Sequence, residues 1–225
     1  TLRIVGMGES MVDEKLRDLM DRESPTLAPY AHVGEVHLRL TARGATADEA
    51  AALLEPLETE IRSRLGSVVY GVDGETLQTA VVRRLKERGE TVGTAESMTA
   101  GGLSALFSSV PGSSDAFRGG YVTYDWRLKE RLLGVTDASD PVSAEVARSM
   151  AVAAKNSLEV DWCVAITGNA GPTADKGGKP VGRVYVAIAG PAGTEVEELN
   201  LRGGRDDVVK RTITLALQRL RERLA

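Results

Sequence analysis

The sequence predicts an α/β chain, an α/β/α sandwich around a central mixed sheet, joined to a small α+β domain. Two observations carry this. From about residue 77 onward, short β-branched or apolar runs alternate with segments of helical period, which implies a central sheet covered on both faces. Before that point the order is different, and the turn-rich stretch Gly71-Val72-Asp73-Gly74 separates the halves. The expected domains are therefore 1–72 and 73–225.

In the first half, residues 2–5 read as a strand, and Ser10 as the cap of a helix through Met11, Leu16 and Leu19. A Pro-containing loop, 24–30, leads to an alternating strand over 33–40. Thr46-Ala47-Asp48-Glu49 has capping-box spacing and opens a long helix carrying Leu53, Leu54, Leu57 and Ile61. A strand at 68–70 closes the unit. The second half reads as helix 77–88, strand 91–95, a helix from Thr99, strand 120–124, helix 128–133 and helix 143–158. Strand 162–167, a Gly/Pro-rich loop 168–182, strands 183–189 and 195–201, and helix 206–224 follow.

Composition narrows the function. The 225 residues carry a net charge of −4, and 42% are hydrophobic, enough for a sizeable core. Residues 1–70 hold 8 Lys/Arg against 12 Asp/Glu, so nucleic-acid binding, which needs clustered cations, is not expected. The single cysteine, Cys163, lies in the apolar run 162–166; it excludes an intrachain disulfide and reads as a core residue. No membrane span or signal peptide is visible, and a cytoplasmic location is expected.

Four small-residue loops in the second half are expected to converge at one edge of the sheet, where α/β folds place their sites. They are Glu96-Ser97-Met98-Thr99-Ala100-Gly101-Gly102, Pro111-Gly112-Ser113-Ser114, Tyr124 to Lys129, and Thr167-Gly168-Asn169-Ala170-Gly171-Pro172 continuing to Gly182. The first joins a strand to a helix, a place where unpaired N–H groups and the helix dipole can hold a phosphate or an oxyanion. Ser97 there can either cap the helix, in competition with Thr99, or attack a substrate. Ser113 and Ser143 can cap helices or line the pocket.

The chain's two histidines, His32 and His37, both lie in the first half; five apart on one strand, they would face opposite sides and share no metal. A Ser–His–Asp triad in the second half is thereby excluded, and no residues have metal-ligand spacing, so no cofactor or metal is expected. Lys129 is the remaining base for a serine nucleophile, a known variant of triad logic. From a usual pKa of ~10.4 it would need lowering by roughly 2–3 units, by burial or by a cation such as Arg127, Arg205 or Arg211. Tyr124 can relay a proton or orient the pair, and backbone N–H groups after Ser97 would form the oxyanion hole.

These motifs, with Leu133-Gly134-Val135, Val142-Ser143, Lys179-Pro180-Val181-Gly182 and Arg205, resemble in order the C-terminal nicotinamide-nucleotide amidase domain of the CinA family over residues 74–225. Residues 1–70 resemble that family's middle, KH-like domain. The chain departs from the family pattern at Asp140-Pro141, where a glycine usually precedes Val-Ser, and at Asn169, commonly aliphatic. The resemblance implies hydrolysis of the nicotinamide mononucleotide carboxamide to nicotinic acid mononucleotide and ammonia. Ser97, Lys129 and Tyr124 would be catalytic. Glu96, Met98, Thr99, Ala100, Gly101, Gly102, Ser113, Ser143, Thr167, Gly168, Asn169, Ala170, Gly171 and Arg205 would contact a pyridine nucleotide. It also implies a preceding molybdopterin-binding-like domain in the full-length protein, and a homo-oligomer is expected. The alternative reading is a non-catalytic nucleotide-sensing or protein-interaction module tied to competence or DNA damage.

Overall fold

The structure is a computed structural model that describes residues 1–136, 140–174 and 177–225; residues 175 and 176 of the 168–182 loop lie outside the described residues. It comprises two compact units, Thr1–Ala80 and Val81–Ala225.

The first unit is a four-stranded antiparallel sheet of order β2-β3-β1-β4, built from β1 (Leu2–Val5), β2 (Thr26–His32), β3 (Glu35–Thr41) and β4 (Val69–Val72). Helices α1 (Glu9–Met20) and α2 (Ala47–Leu65) bury Val12, Leu16, Leu19, Leu57 and Ile61 against Leu2, Ile4 and Leu38. The Thr46 side chain caps α2 by accepting from the Glu49 N–H at 3.2 Å, while the Glu49 carboxylate reaches back to the Ala45 N–H at 2.8 Å. Helix α1 instead starts from Gly8, with Ser10 inside its first turn, so Ser10 is no cap.

The stretch expected as a loop at 24–30 is largely strand. Residues 26–32 pair with 35–41 in a hairpin turning at Val33-Gly34, and Pro29 is tolerated because β2 is an edge strand. This also corrects the reading of the histidines. His32 and His37 sit on neighbouring strands, not on one, and their rings lie 3.9 Å apart between centroids.

The second unit is a mixed five-stranded sheet of order β6-β5-β7-β8-β9. Strands β5 (Val92–Glu96), β6 (Phe117–Val122) and β7 (Trp162–Gly168) are parallel; β8 (Arg183–Gly190) pairs antiparallel with β7, and β9 (Gly193–Asn200) antiparallel with β8. On one face, α6 (Ala144–Ser157) packs Val146, Ala147, Met150, Ala151 and Ala154 on Ala95, Cys163, Ala165, Ala187 and Ala189. The small residues on the strands let that helix lie close to the sheet. The other face carries α4 (Gly102–Ser108) and α7 (Arg205–Arg223), with Gly102 against Ile213. Helix α3 (Leu77–Arg88) enters this unit, and α5 (Trp126–Leu133) follows β6.

This topology sets the site. The carboxyl ends of β5, β6 and β7 point to one edge, and the antiparallel β8 starts and β9 ends there. Segments 97–101, 123–125, 140–143, 168–174, 177–182 and 201–204 share that edge. The Pro111–Ser114 segment does not. It precedes β6, and just beyond it the Ala116 carbonyl accepts from the Val92 N–H at the opposite end of β5. A right-handed parallel crossover carries the chain from the carboxyl end of one strand to the amino end of the next, so this loop had to arrive there.

Candidate active site

The site is built on the turn after β5. Strand β5 is buried throughout and ends at Glu96. The next residue, Ser97, is anchored by its N–H on the Ile166 carbonyl at 3.0 Å, tying the turn to the neighbouring strand. The turn closes with the Ala100 N–H on the Ser97 carbonyl, and Ala100 and Gly101 take left-handed φ values of 51° and 93°. A non-glycine residue in that region carries local strain, here at the turn bearing the serine.

Helix α4 begins only at Gly102, with Gly101 as its cap residue, so neither Ser97 nor Thr99 caps it. Glu96 does the capping. Its buried carboxylate accepts from the N–H groups of Leu103 at 3.0 Å and Ser104 at 2.8 Å and from the Ser104 hydroxyl at 2.6 Å. The positive helix end, expected to hold a substrate anion, is therefore filled by the protein's own carboxylate. The Ser97 hydroxyl is left without a capping duty.

Its partner is Lys129. Asp125 precedes α5 as its cap, its carboxylate accepting from the Arg127 N–H at 2.9 Å, and Lys129 lies about one turn further on. The lysine is only 3% exposed, and Nζ donates to Ser97 Oγ at 2.9 Å and, at 3.5 Å, to the Thr123 carbonyl. Burial pushes Lys129 down to about 8, with the Asp125 carboxylate pulling the other way. Burial is the main cause of the lowering, and none of the expected cations bonds to the lysine. Arg127 is paired with Asp125, Arg205 is bonded to Gly171 and Tyr124, and Arg211 reaches the Arg202 carbonyl.

The N–H groups of Met98 and Thr99 donate to no acceptor among the described residues. The Met98 side chain is buried, its sulfur beside Gly168, where an added Cβ would come within 2.9 Å of it. Met98 thus offers the site its backbone rather than its thioether. The Thr99 hydroxyl is buried without a partner among the described residues.

Tyr124, expected to relay a proton or orient the pair, makes no hydrogen bond to Ser97 or Lys129 among the described residues. It is 56% exposed, and its hydroxyl accepts from Arg205 at 2.7 Å. The other arm of Arg205 donates to the Gly171 carbonyl at 2.8 Å, joining segments that follow β6 and β7 to the start of α7. Asn169, expected to touch substrate, turns inward. Its amide donates to the Thr173 and Lys179 carbonyls at 2.9 and 3.0 Å, and its oxygen accepts from the Gly171 N–H at 2.8 Å. Ala170 is buried in the same loop. Ser143 caps α6 through the Val146 N–H. Ser113 lies with its loop at the far end of the sheet.

Two model families of protein domains match: the CinA C-terminal domain over residues 74–224, and the damage-inducible protein CinA KH domain over residues 1–71. The chain belongs to the CinA family. A CinA-like protein of Prochlorococcus marinus (strain MIT 9313) is 42% identical over 99% of this chain and 53% of its own length. A putative competence-damage inducible protein of Symbiobacterium thermophilum is 48% identical over 100% of this chain and 56% of its own. The chain thus spans about half the length of the curated CinA relatives it matches. Among solved structures, a CinA superfamily protein from Klebsiella pneumoniae superposes with a TM-score of 0.64 at 29% identity, covering 66% of this chain and 95% of that one.

Two residues just before α6 have partners at the ends of neighbouring elements. The Pro141 carbonyl accepts from Thr167 Oγ1 at 2.7 Å, and Asp140 pairs with Lys179 at 2.9 Å. Both bonds tie the segment before α6 to the ends of the 168–182 loop. Sequence reasoning missed Thr123, whose carbonyl faces Lys129, and Asp125; a capping Asp four residues before the lysine was the available signal for the latter. Among the described residues no group of His, Cys, Asp and Glu is placed to hold a metal ion.

Proposed function

We propose that this chain is a Ser–Lys amidohydrolase that releases ammonia from the carboxamide of nicotinamide mononucleotide, giving nicotinic acid mononucleotide, without a metal or cofactor. The observation that carries the reading is the buried 2.9 Å contact between Lys129 Nζ and Ser97 Oγ. A lysine lowered to about 8 is partly neutral at neutral pH and can take the serine proton.

In this reading Ser97 Oγ attacks the carboxamide carbon while Lys129 accepts its proton. The oxyanion forms against the Met98 and Thr99 N–H groups, which carry no acceptor among the described residues. Lys129 then returns the proton to the leaving nitrogen, and ammonia departs from an acyl-serine. Water, deprotonated by the same lysine, attacks the ester carbon and regenerates Ser97. Arg205, at the rim, supplies positive charge for the nucleotide phosphate, since the α4 terminus is occupied by Glu96.

The test is ammonia release from nicotinamide mononucleotide by the intact chain in the presence of a chelator. Turnover that survives chelation, and that falls at least about 100-fold in both Ser97→Ala and Lys129→Met, is expected. Wild-type turnover by either variant, or none by the parent protein, would overturn the reading.

A further inference from the structure

We infer that Asp125 and Arg127, at the first turn of α5, form an electrostatic tuner that sets the proton affinity of Lys129. Asp125 caps α5 and Lys129 stands four residues on, about one helical turn along the same helix. A carboxylate there favours a charged lysine, opposing the burial that favours a neutral one. Arg127 clamps that carboxylate with two bonds, Nε to Oδ1 at 3.0 Å and Nη2 to Oδ2 at 2.5 Å, and partly cancels its field. The clamp holds Asp125 low, at about 2, so its charge is permanent over the working range.

The other charged groups at this edge are committed elsewhere. Glu96 is spent on the α4 amides and Ser104, Arg205 on Tyr124 and Gly171, and Lys179 is paired with Asp140. Ser97 and the Thr123 carbonyl, the two groups that touch Nζ, carry no charge on it. Among the described residues Asp125 is the carboxylate that acts most directly on Lys129, and Arg127 is the residue that attenuates it. Both are positioning residues, since neither touches the reacting atoms.

The assignment of Lys129 as a base rests on the proposed amidase reading, whereas the tuning itself does not. The experiment therefore titrates Lys129 directly, by NMR of its side chain in the intact protein, assigned with Lys129→Met. Asp125→Asn keeps a helix-capping side chain while removing the charge, and Asp125→Ser is a second cap-preserving variant. Both are expected to lower the Lys129 midpoint by about half a pH unit, the scale of a partly screened contact of this spacing. Arg127→Gln, which frees the carboxylate, is expected to raise it. A purely structural role would not give shifts of opposite sign from two neighbouring substitutions.

A Lys129 midpoint unmoved in the Asp125 variants, or moved the same way by Arg127→Gln, overturns the tuner. If the midpoints move as expected and the acid limb of the amidase pH profile does not follow, the tuner stands and the base role of Lys129 fails. Should the two move together, both hold.

Discussion

At the scale of single residues, Ser97 and Lys129 are the pair on which the proposed chemistry depends. Because the base must be neutral, kcat/KM for ammonia release should rise with pH and level off above about 8, where Lys129 titrates. The same burial has a cost in stability. Below about 8 the native protein holds a buried cation that the unfolded chain solvates freely, and this penalty fades as pH climbs from 8 toward 10.5. The depression corresponds to roughly 3 kcal/mol, so Lys129→Met should raise the urea midpoint at pH 7, and the gain should shrink at pH 10. Tyr124→Phe removes the hydroxyl that holds Arg205 but not a group on Lys129, so it should raise KM more than it lowers kcat. The serine and the lysine were legible because the second half holds no histidine and both residues sit in ordered motifs. The Tyr124 hydroxyl's bond to Arg205 was not legible, because Arg205 stands 81 residues further along the chain.

At the scale of elements, the turn between β5 and α4 is held by Glu96. Replacing it with Ala would leave two amides and a hydroxyl without their acceptor, and should cost about 2–3 kcal/mol by denaturant unfolding. Gly182 joins two parts of the site edge: its N–H donates to the Asn169 carbonyl and its carbonyl accepts from the Leu201 N–H. At φ 87°, an added Cβ would fall 1.8 Å from the Leu201 carbonyl oxygen. Gly182→Ala should therefore unfold at lower denaturant than the parent, with turnover reduced in the folded fraction. Most elements were legible from period and caps, as at Thr46 and Ser143, where the side chain and the helix start agree. Strand β2 was not, because Pro25 and Pro29 read as a loop until an edge position makes the second of them harmless. The Pro111–Ser114 loop was misassigned because composition cannot say at which end of a parallel strand a small-residue turn lies.

At the scale of the whole molecule, the Ser97–Lys129 pair, the loops around it and their core all belong to the second unit. A chain of residues 74–225 should therefore keep the parent kcat for nicotinamide mononucleotide. The first unit is acidic, with 8 Lys/Arg against 12 Asp/Glu in residues 1–70, and filter binding at ~150 mM salt should detect no complex with single-stranded RNA. No helix among the described residues is long and apolar enough to cross a membrane. The sole cysteine of the chain, Cys163, is wholly buried under α6, and burial pushes its thiol up to about 12. The native protein thus presents no thiolate to an alkylating dye. A cysteine introduced at exposed Trp126 would be the one site that labels, so a single fluorophore beside the rim could report its motion without first removing a native residue.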